Sequence, residues 1–180
     1  MHLPLWYLGQ IPENVCDTAL EELTKIDPQP AKMGADGEYA DTQVRDTVLR
    51  FAPPNYWFGG IMYEHGLNSN ISAGWDYNIT GHENVQLGSY GPAGHYDWHT
   101  DTFPLSGQPL ERKISVICLL SNPDEYTGGD LQIRLYQDYT VDMKKGQVIA
   151  FPSMLYHRVI PITGGTRNSA VIWMHGPRMH

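Results

Sequence analysis

From residue 75 onward the sequence is a succession of short apolar stretches cut by glycine and proline turns. Candidate strands cover 75–79, 85–90, 95–101, 113–120, 131–135, 139–143, 147–151, 157–160 and 169–174. Between them lie Gly91-Pro92-Ala93-Gly94, Asn122-Pro123-Asp124, Gly128-Gly129, Lys145-Gly146 and Gly164-Gly165, whose residues suit tight turns. The preceding part reads differently. Residues 12–26 carry Val15, Cys16, Ala19, Leu20 and Leu23 on one helical face, and Asp27-Pro28 stops that helix. A Gly- and Asp-rich loop to Asp41, a strand over 43–51 and a second helix over 56–68 follow, although Gly59-Gly60 weakens the helix. Helices first and short strands afterwards predict a mainly β fold with N-terminal supporting helices, a sandwich or barrel of the jelly-roll kind. With 180 residues the chain suits one domain, 1–180, with 1–74 as helical support and 75–176 as the β core.

Charge and cysteine content remove several function classes. The formal net charge is -8, and Arg112-Lys113 and Lys144-Lys145 are the sole adjacent basic pairs, so no basic face for nucleic acid is expected. Cys16 and Cys118 lie in apolar segments too far apart in sequence for a disulfide framework and read as buried thiols. The start, Met1-His2-Leu3-Pro4-Leu5-Trp6, lacks the pattern of a signal peptide, and no segment approaches the roughly 20 apolar residues of a membrane span. A reducing, cytoplasmic setting without membrane attachment is the expectation (the host cytoplasm, if the chain is phage-encoded).

The chemistry concentrates in Tyr96-Asp97-Trp98-His99-Thr100-Asp101. In a strand, His99 and Asp101 point to one side and can reach one metal together. A His and an Asp sharing a hydrogen bond would explain that pair equally well. His157, after a buried-looking strand and a tight turn, adds a third ligand. Two imidazoles and one carboxylate on one face of an octahedron suit a non-haem Fe(II) with open positions, and zinc accepts the same set. Arg167, ten residues further on, separates the two. Its planar guanidinium can pair bidentately with a carboxylate, as the far end of a dicarboxylate requires. Ser169 and Trp173 share its face of the last strand.

These residues resemble the iron(II)- and 2-oxoglutarate-dependent oxygenases, specifically the prolyl hydroxylase-like branch that includes bacterial and phage hydroxylases. The matching pattern runs from Tyr90, Gly94, Tyr96, His99 and Asp101 through Arg112-Lys113-Ile114-Ser115, Gly128-Gly129-Asp130-Leu131 and 146–152. It closes with His157, Val159, Pro161 and Gly164-Gly165-Thr166-Arg167. The resemblance implies a double-stranded β-helix with His99, Asp101 and His157 holding Fe(II). It implies Arg167 on the distal carboxylate of 2-oxoglutarate, Ser169 assisting, Tyr90 near the co-substrate and Trp173 lining the pocket. Relatives carry a co-substrate-binding tyrosine on the third strand. Here Ile117-Cys118-Leu119-Leu120 stands in its place, so Tyr90, Arg167 and Ser169 should carry more of the binding.

The function implied is hydroxylation of a protein or peptide residue, proline first, with release of succinate and CO2 and with ascorbate as an accessory reductant. Hydroxylation of a free amino acid or small metabolite, and a non-catalytic metal-binding β-barrel, are the competing readings. His95 is a candidate for facing substrate. Of Tyr96 and Trp98, one should face the pocket and the other pack outward. The loops after Gly66, Gly91 and Asp101 should form the rim. Nothing in the sequence speaks to oligomeric state.

Overall fold

The computed structural model describes residues 5–31, 41–102, 105, 107 and 109–178. The chain begins with β1 (Tyr7–Gln10), α1 (Glu13–Thr24), β2 (Gln29–Pro30), β3 (Arg45–Asp46), β4 (Val48–Ala52) and α2 (Trp57–Ser72). It continues through β5 (Gly81–His82), β6 (Val85–Tyr90), β7 (His95–His99) and β8 (Leu110–Leu119). A 3-10 turn at Pro123–Glu125 leads to β9 (Tyr126–Gly128), β10 (Leu131–Arg134), β11 (Asp138–Val141) and β12 (Gln147–Pro152). The last elements are β13 (Tyr156–Val159), β14 (Ile162–Gly165) and β15 (Arg167–Pro177).

The strands form an eight-stranded sheet in the order β1-β12-β8-β15-β6-β4-β2, with β5 on β15, and a five-stranded sheet in the order β11-β10-β13-β7-β3. Strands β14 and β9 make a separate pair. Side-chain alternation along the central strands shows why they read so clearly as strands. On β8, Ile114, Val116 and Cys118 join the α1 and α2 side chains Cys16, Leu23, Phe58 and Met62 in one core. Ile117 and Leu119 instead point into a second core shared with Leu131, Ile133 and Val159 of the five-stranded sheet. Likewise Val148 and Ala150 of β12 face the helices, while Ile149 and Phe151 face the other sheet. Both faces of these strands are buried, which demands nearly unbroken apolar sequence. The architecture is the expected double-stranded β-helix, with helices against the outer face of the larger sheet.

Several local expectations need correction. The predicted strand over 43–51 is two strands: β3 pairs with β7 in the small sheet, and β4 pairs with β6 in the large one. Thr47 marks the crossover, its hydroxyl donating to the Ser89 carbonyl at 3.1 Å. Residues 75–79 form no strand. Tyr77 is tied instead to the Asn70 amide group, its N–H donating to Oδ1 at 3.0 Å and its carbonyl accepting from Nδ2 at 2.9 Å. Gly66 starts no rim loop, since it lies inside α2. The glycine pair that was expected to weaken that helix is accommodated: a Cβ on Gly59 would lie 2.7 Å from Val85 Cγ2. The sequence predicts no element at β1, and it places Gly128 of β9 and Gly164-Gly165 of β14 in turns. Cys16 and Cys118 are free and buried, with their sulfurs 3.9 Å apart.

Candidate metal centre

The register of β7 against β13 sets His99 directly opposite His157. His99 closes its strand, and Asp101 lies two residues beyond the strand end. The expectation that a strand would carry both His99 and Asp101 is therefore corrected. The turn is held by another contact: the Asp101 N–H donates to the Ser153 carbonyl at 2.9 Å. Asp101 Oδ1 stands 3.6 Å from His99 Nε2, and Oδ2 stands 3.2 Å from His157 Nε2. All three ligand atoms fall within 4.8 Å of one another. Cis ligands about 2.1 Å from one metal ion would be separated by roughly 3 Å, so small adjustments complete a coordination face.

Hydrogen bonds around the triad orient it for that task. His99 Nδ1 lies 2.7 Å from the Asp97 carbonyl and His157 Nδ1 lies 3.0 Å from the Leu155 carbonyl. A carbonyl only accepts, so each Nδ1 carries a proton and each Nε2 is the nitrogen that faces the centre. Ser115 donates to Asp101 Oδ2 at 2.7 Å and lies 3.0 Å from the Ser153 hydroxyl.

Electrostatics divide the pair of histidines. Burial, aided by the charge of His157, pulls the His99 imidazolium down to about 3. Burial acts against protonated His157 too, yet the Asp101 carboxylate and its hydrogen bond raise this imidazole above its ordinary value. Burial would raise Asp101, but His157 beside it keeps its carboxyl well below the usual carboxylate range. The donor set of two imidazoles and an ionised carboxylate, open on one side to a cavity, fits a borderline divalent cation.

All seven sequence-predicted site residues line one cavity of about 400 Å³, its open mouth included: His99, Asp101, His157, Tyr90, Arg167, Ser169 and Trp173. Arg167 is 2% exposed, and its Nη1 donates to the Ser169 hydroxyl at 3.0 Å. Its guanidinium lies 5.7 Å from the Tyr90 ring centroid. Tyr96 is the pocket-facing neighbour, stacked on His99 with ring centroids 3.5 Å apart, and burial pushes its phenol up to about 12. Trp98 packs outward under Arg134 and Arg158, at 3.8 and 4.6 Å. His95 does not join the cavity, since both ring nitrogens engage backbone carbonyls of Ala93 and Gln43.

Sequence reasoning missed three contributors. Ser115 and Ser153, which brace Asp101, look like ordinary strand and turn serines. Tyr126 lies beside a second cavity that shares Arg167 and Leu131 with the first. Burial raises its phenol, while the neighbouring Arg167, through its charge and a side-chain hydrogen bond, opposes the rise. Gly129 makes room for this: a Cβ there would lie 3.0 Å from Arg167 Cδ and 3.5 Å from Tyr126 Cε2. Leu119 of β8 lines the same second cavity as Tyr126 of β9. The one sequence signal for Tyr126 was proximity to Gly128-Gly129.

Comparison with known proteins agrees with this geometry. A PKHD-type hydroxylase of Crocosphaera subtropica is 34% identical over 93 residues, 51% of this chain and 42% of the relative. One from Stenotrophomonas maltophilia is 36% identical over 89 residues, 47% of this chain and 40% of the relative. The chain thus spans about two fifths of the length of these relatives. Among solved structures, a Pseudomonas putida prolyl-4-hydroxylase superposes with a TM-score of 0.71 at 17% identity, covering 98% of this chain and 94% of that one. The viral collagen prolyl hydroxylase of Paramecium bursaria Chlorella virus-1, in its 2OG complex, gives 0.74 at 16% identity, covering 96% and 97%. These two likenesses establish the fold. Residues 85–175, half of the chain and nearly the whole span from β6 to β15, match the family described as the 2OG-Fe(II) oxygenase superfamily, and the chain belongs to it.

Proposed function

We propose that this chain is a hydroxylase that uses Fe(II) and 2-oxoglutarate to oxidise a residue, proline first, in a protein or peptide. The observation that carries the reading is a single cavity with a three-ligand constellation open on one side and a buried, serine-supported guanidinium in its wall. The hydroxylase relatives and prolyl hydroxylase-like structures support the choice of reaction and of substrate class.

In this reading His99 Nε2, Asp101 and His157 Nε2 hold the iron, and Arg167 with Ser169 holds the distal carboxylate of 2-oxoglutarate, with Tyr90 on the adjoining wall. Trp173 lines the side where substrate enters. Bound there, iron and 2-oxoglutarate together supply dioxygen activation, with succinate and CO2 as the co-products. The chain's own work is positional. The two Nδ1–H bonds fix both rings with Nε2 turned toward the metal position, and the apolar walls at Ile117, Leu131 and Val171 limit water. No general base is assigned. Ascorbate enters as an outside reductant without residues of its own, and nucleic acid is not a partner in this reading. A cytoplasmic setting suits Cys16 and Cys118, which remain thiols at 3.9 Å.

The test is succinate formation with Fe(II), 2-oxoglutarate, oxygen and proline-containing peptides. Turnover is expected in the wild type and none in His99→Ala. Unchanged turnover in that variant would sink the assignment.

A further inference from the structure

Among the described residues, two buried side-chain nitrogens have no hydrogen-bond partner: Arg45 Nε and Trp173 Nε1. Both residues line the cavity that holds His99, Asp101 and His157. Buried donors are paired almost everywhere in proteins, and an orphan costs about 1–3 kcal/mol. Two orphans in one cavity, both of them donors, mark a place for acceptor atoms that the described residues do not themselves provide.

The other cations near this cavity are occupied. Arg112, stacked 4.0 Å over the Trp173 ring, is bound by both oxygens of Glu83 at 2.5 and 2.7 Å. Arg167 donates to Ser169. Arg45, 7% exposed, has its guanidinium 4.3 Å from the centroid of Tyr96, with Nε unpartnered among the described residues. That ring in turn stacks on His99. The placement is built by register, since β3 sets Arg45 opposite Tyr96 on β7. A buried guanidinium stacked on an aromatic ring, with its Nε unpartnered among the described residues, keeps that directional hydrogen bond available to a ligand.

We infer that Arg45, with the Trp173 indole N–H as a second donor, anchors an acceptor oxygen of the primary substrate beside the metal centre. The substrate class that fits is an amino-acid unit whose carbonyl or carboxylate lies close to the carbon being oxidised. A purely hydrocarbon or cationic substrate would leave both donors unpaired. The inference deepens the hydroxylase reading and rests on it.

The experiment is calorimetric titration of protein loaded with Mn(II) and 2-oxoglutarate, comparing wild type, Arg45→Gln and Arg45→Lys. One probe is acetyl-Gly-Pro-Gly-amide, which offers only amide carbonyls; the other is free L-proline, which offers a carboxylate. At least one probe is expected to bind the wild type, and the arm that binds identifies the oxygen. Arg45→Gln should weaken that binding tenfold or more, and Arg45→Lys should recover part of it. Affinity for 2-oxoglutarate should stay within twofold throughout, which a merely structural role for Arg45 would not predict. Unchanged probe affinity in Arg45→Gln overturns the inference. So does the failure of both probes on a wild type that binds 2-oxoglutarate, an outcome that leaves the co-substrate reading standing. A wild type that does not bind 2-oxoglutarate overturns both.

Discussion

At the scale of single residues, the two ligand histidines are not equivalent, and the difference is measurable. His99 is held down to about 3 by burial, so near neutral pH it is already deprotonated. Burial also opposes the charge on His157, but Asp101 raises its imidazole above the ordinary value. A proton on His157 must leave before metal binds. Metal affinity should therefore fall as pH drops below the His157 value, by about tenfold per pH unit, one proton at a time rather than two. Calorimetry of Mn(II) binding in buffers of different ionisation enthalpy counts that proton; release approaching two would contradict the asymmetry. Tyr126 supplies a second residue-scale test. Its phenol lies beside Arg167 in the wall of the second cavity and is a hydrogen-bond partner for the guanidinium. Tyr126→Phe should weaken 2-oxoglutarate by roughly 3–10-fold, in the net range of one ordinary hydrogen bond, and leave Mn(II) affinity unchanged. Equal weakening of both ligands would mean general damage to the site.

At the scale of elements, what was legible in the sequence follows burial. β8, β12 and β15 announce themselves because both faces are packed, and β6 because Val85 and Leu87 alternate with cavity residues. β1 and β14 were invisible: β1 has largely exposed side chains, and β14 ends in the glycines that read as a turn. The stretch 75–79 shows the opposite failure. Trp75, Tyr77 and Ile79 alternate as a strand would and do pack on the helix-side core, yet the Asn70 side chain takes the backbone bonds. Periodicity reports where side chains go, and backbone pairing is a separate matter. The metal triad was legible because chemistry restricts its residue types, whereas Arg45 depends on a cross-strand register no local pattern reveals. α2 offers a stability test of the same distinction between backbone and packing. A Cβ on Gly60 meets nothing within 4 Å, so Gly60→Ala should stabilise by up to about 1 kcal/mol. A Cβ on Gly66 would collide with Met174 Sδ and lie 3.0 Å from Val116 Cγ2. Gly66→Ala should destabilise by about 1–3 kcal/mol despite its better helix propensity. Thermal melts of the two variants shifting in the same direction would refute the close approach of α2 to the sheet.

At the scale of the whole molecule, the proposed ligands act on the two sheets differently. His99 and His157 belong to β7 and β13 of the five-stranded sheet, while Arg167 and Ser169 belong to β15 of the eight-stranded one. A metal ion alone ties ligands within the smaller sheet, reaching the larger through the Ser115 hydrogen bond to Asp101. A dicarboxylate chelated to that metal and paired with Arg167 would span the cavity and join both sheets. Ligands that bind only the folded state raise stability by mass action, about 2.7 kcal/mol at a hundredfold excess over Kd. For a chain of this size that corresponds to a rise in Tm of roughly 5–10 °C. Mn(II) alone should give a modest rise, and 2-oxoglutarate alone almost none, because its chelating end lacks a partner. Together they should give more than the sum of the separate shifts. Arg167→Ala should lower the starting Tm, since it opens a buried site, yet keep the Mn(II) increment and lose the further increment from 2-oxoglutarate. His99→Ala should lose both. Equal increments from 2-oxoglutarate in wild type and Arg167→Ala would mean that the co-substrate does not bridge the sheets, and the placement of its distal carboxylate would then have to be abandoned.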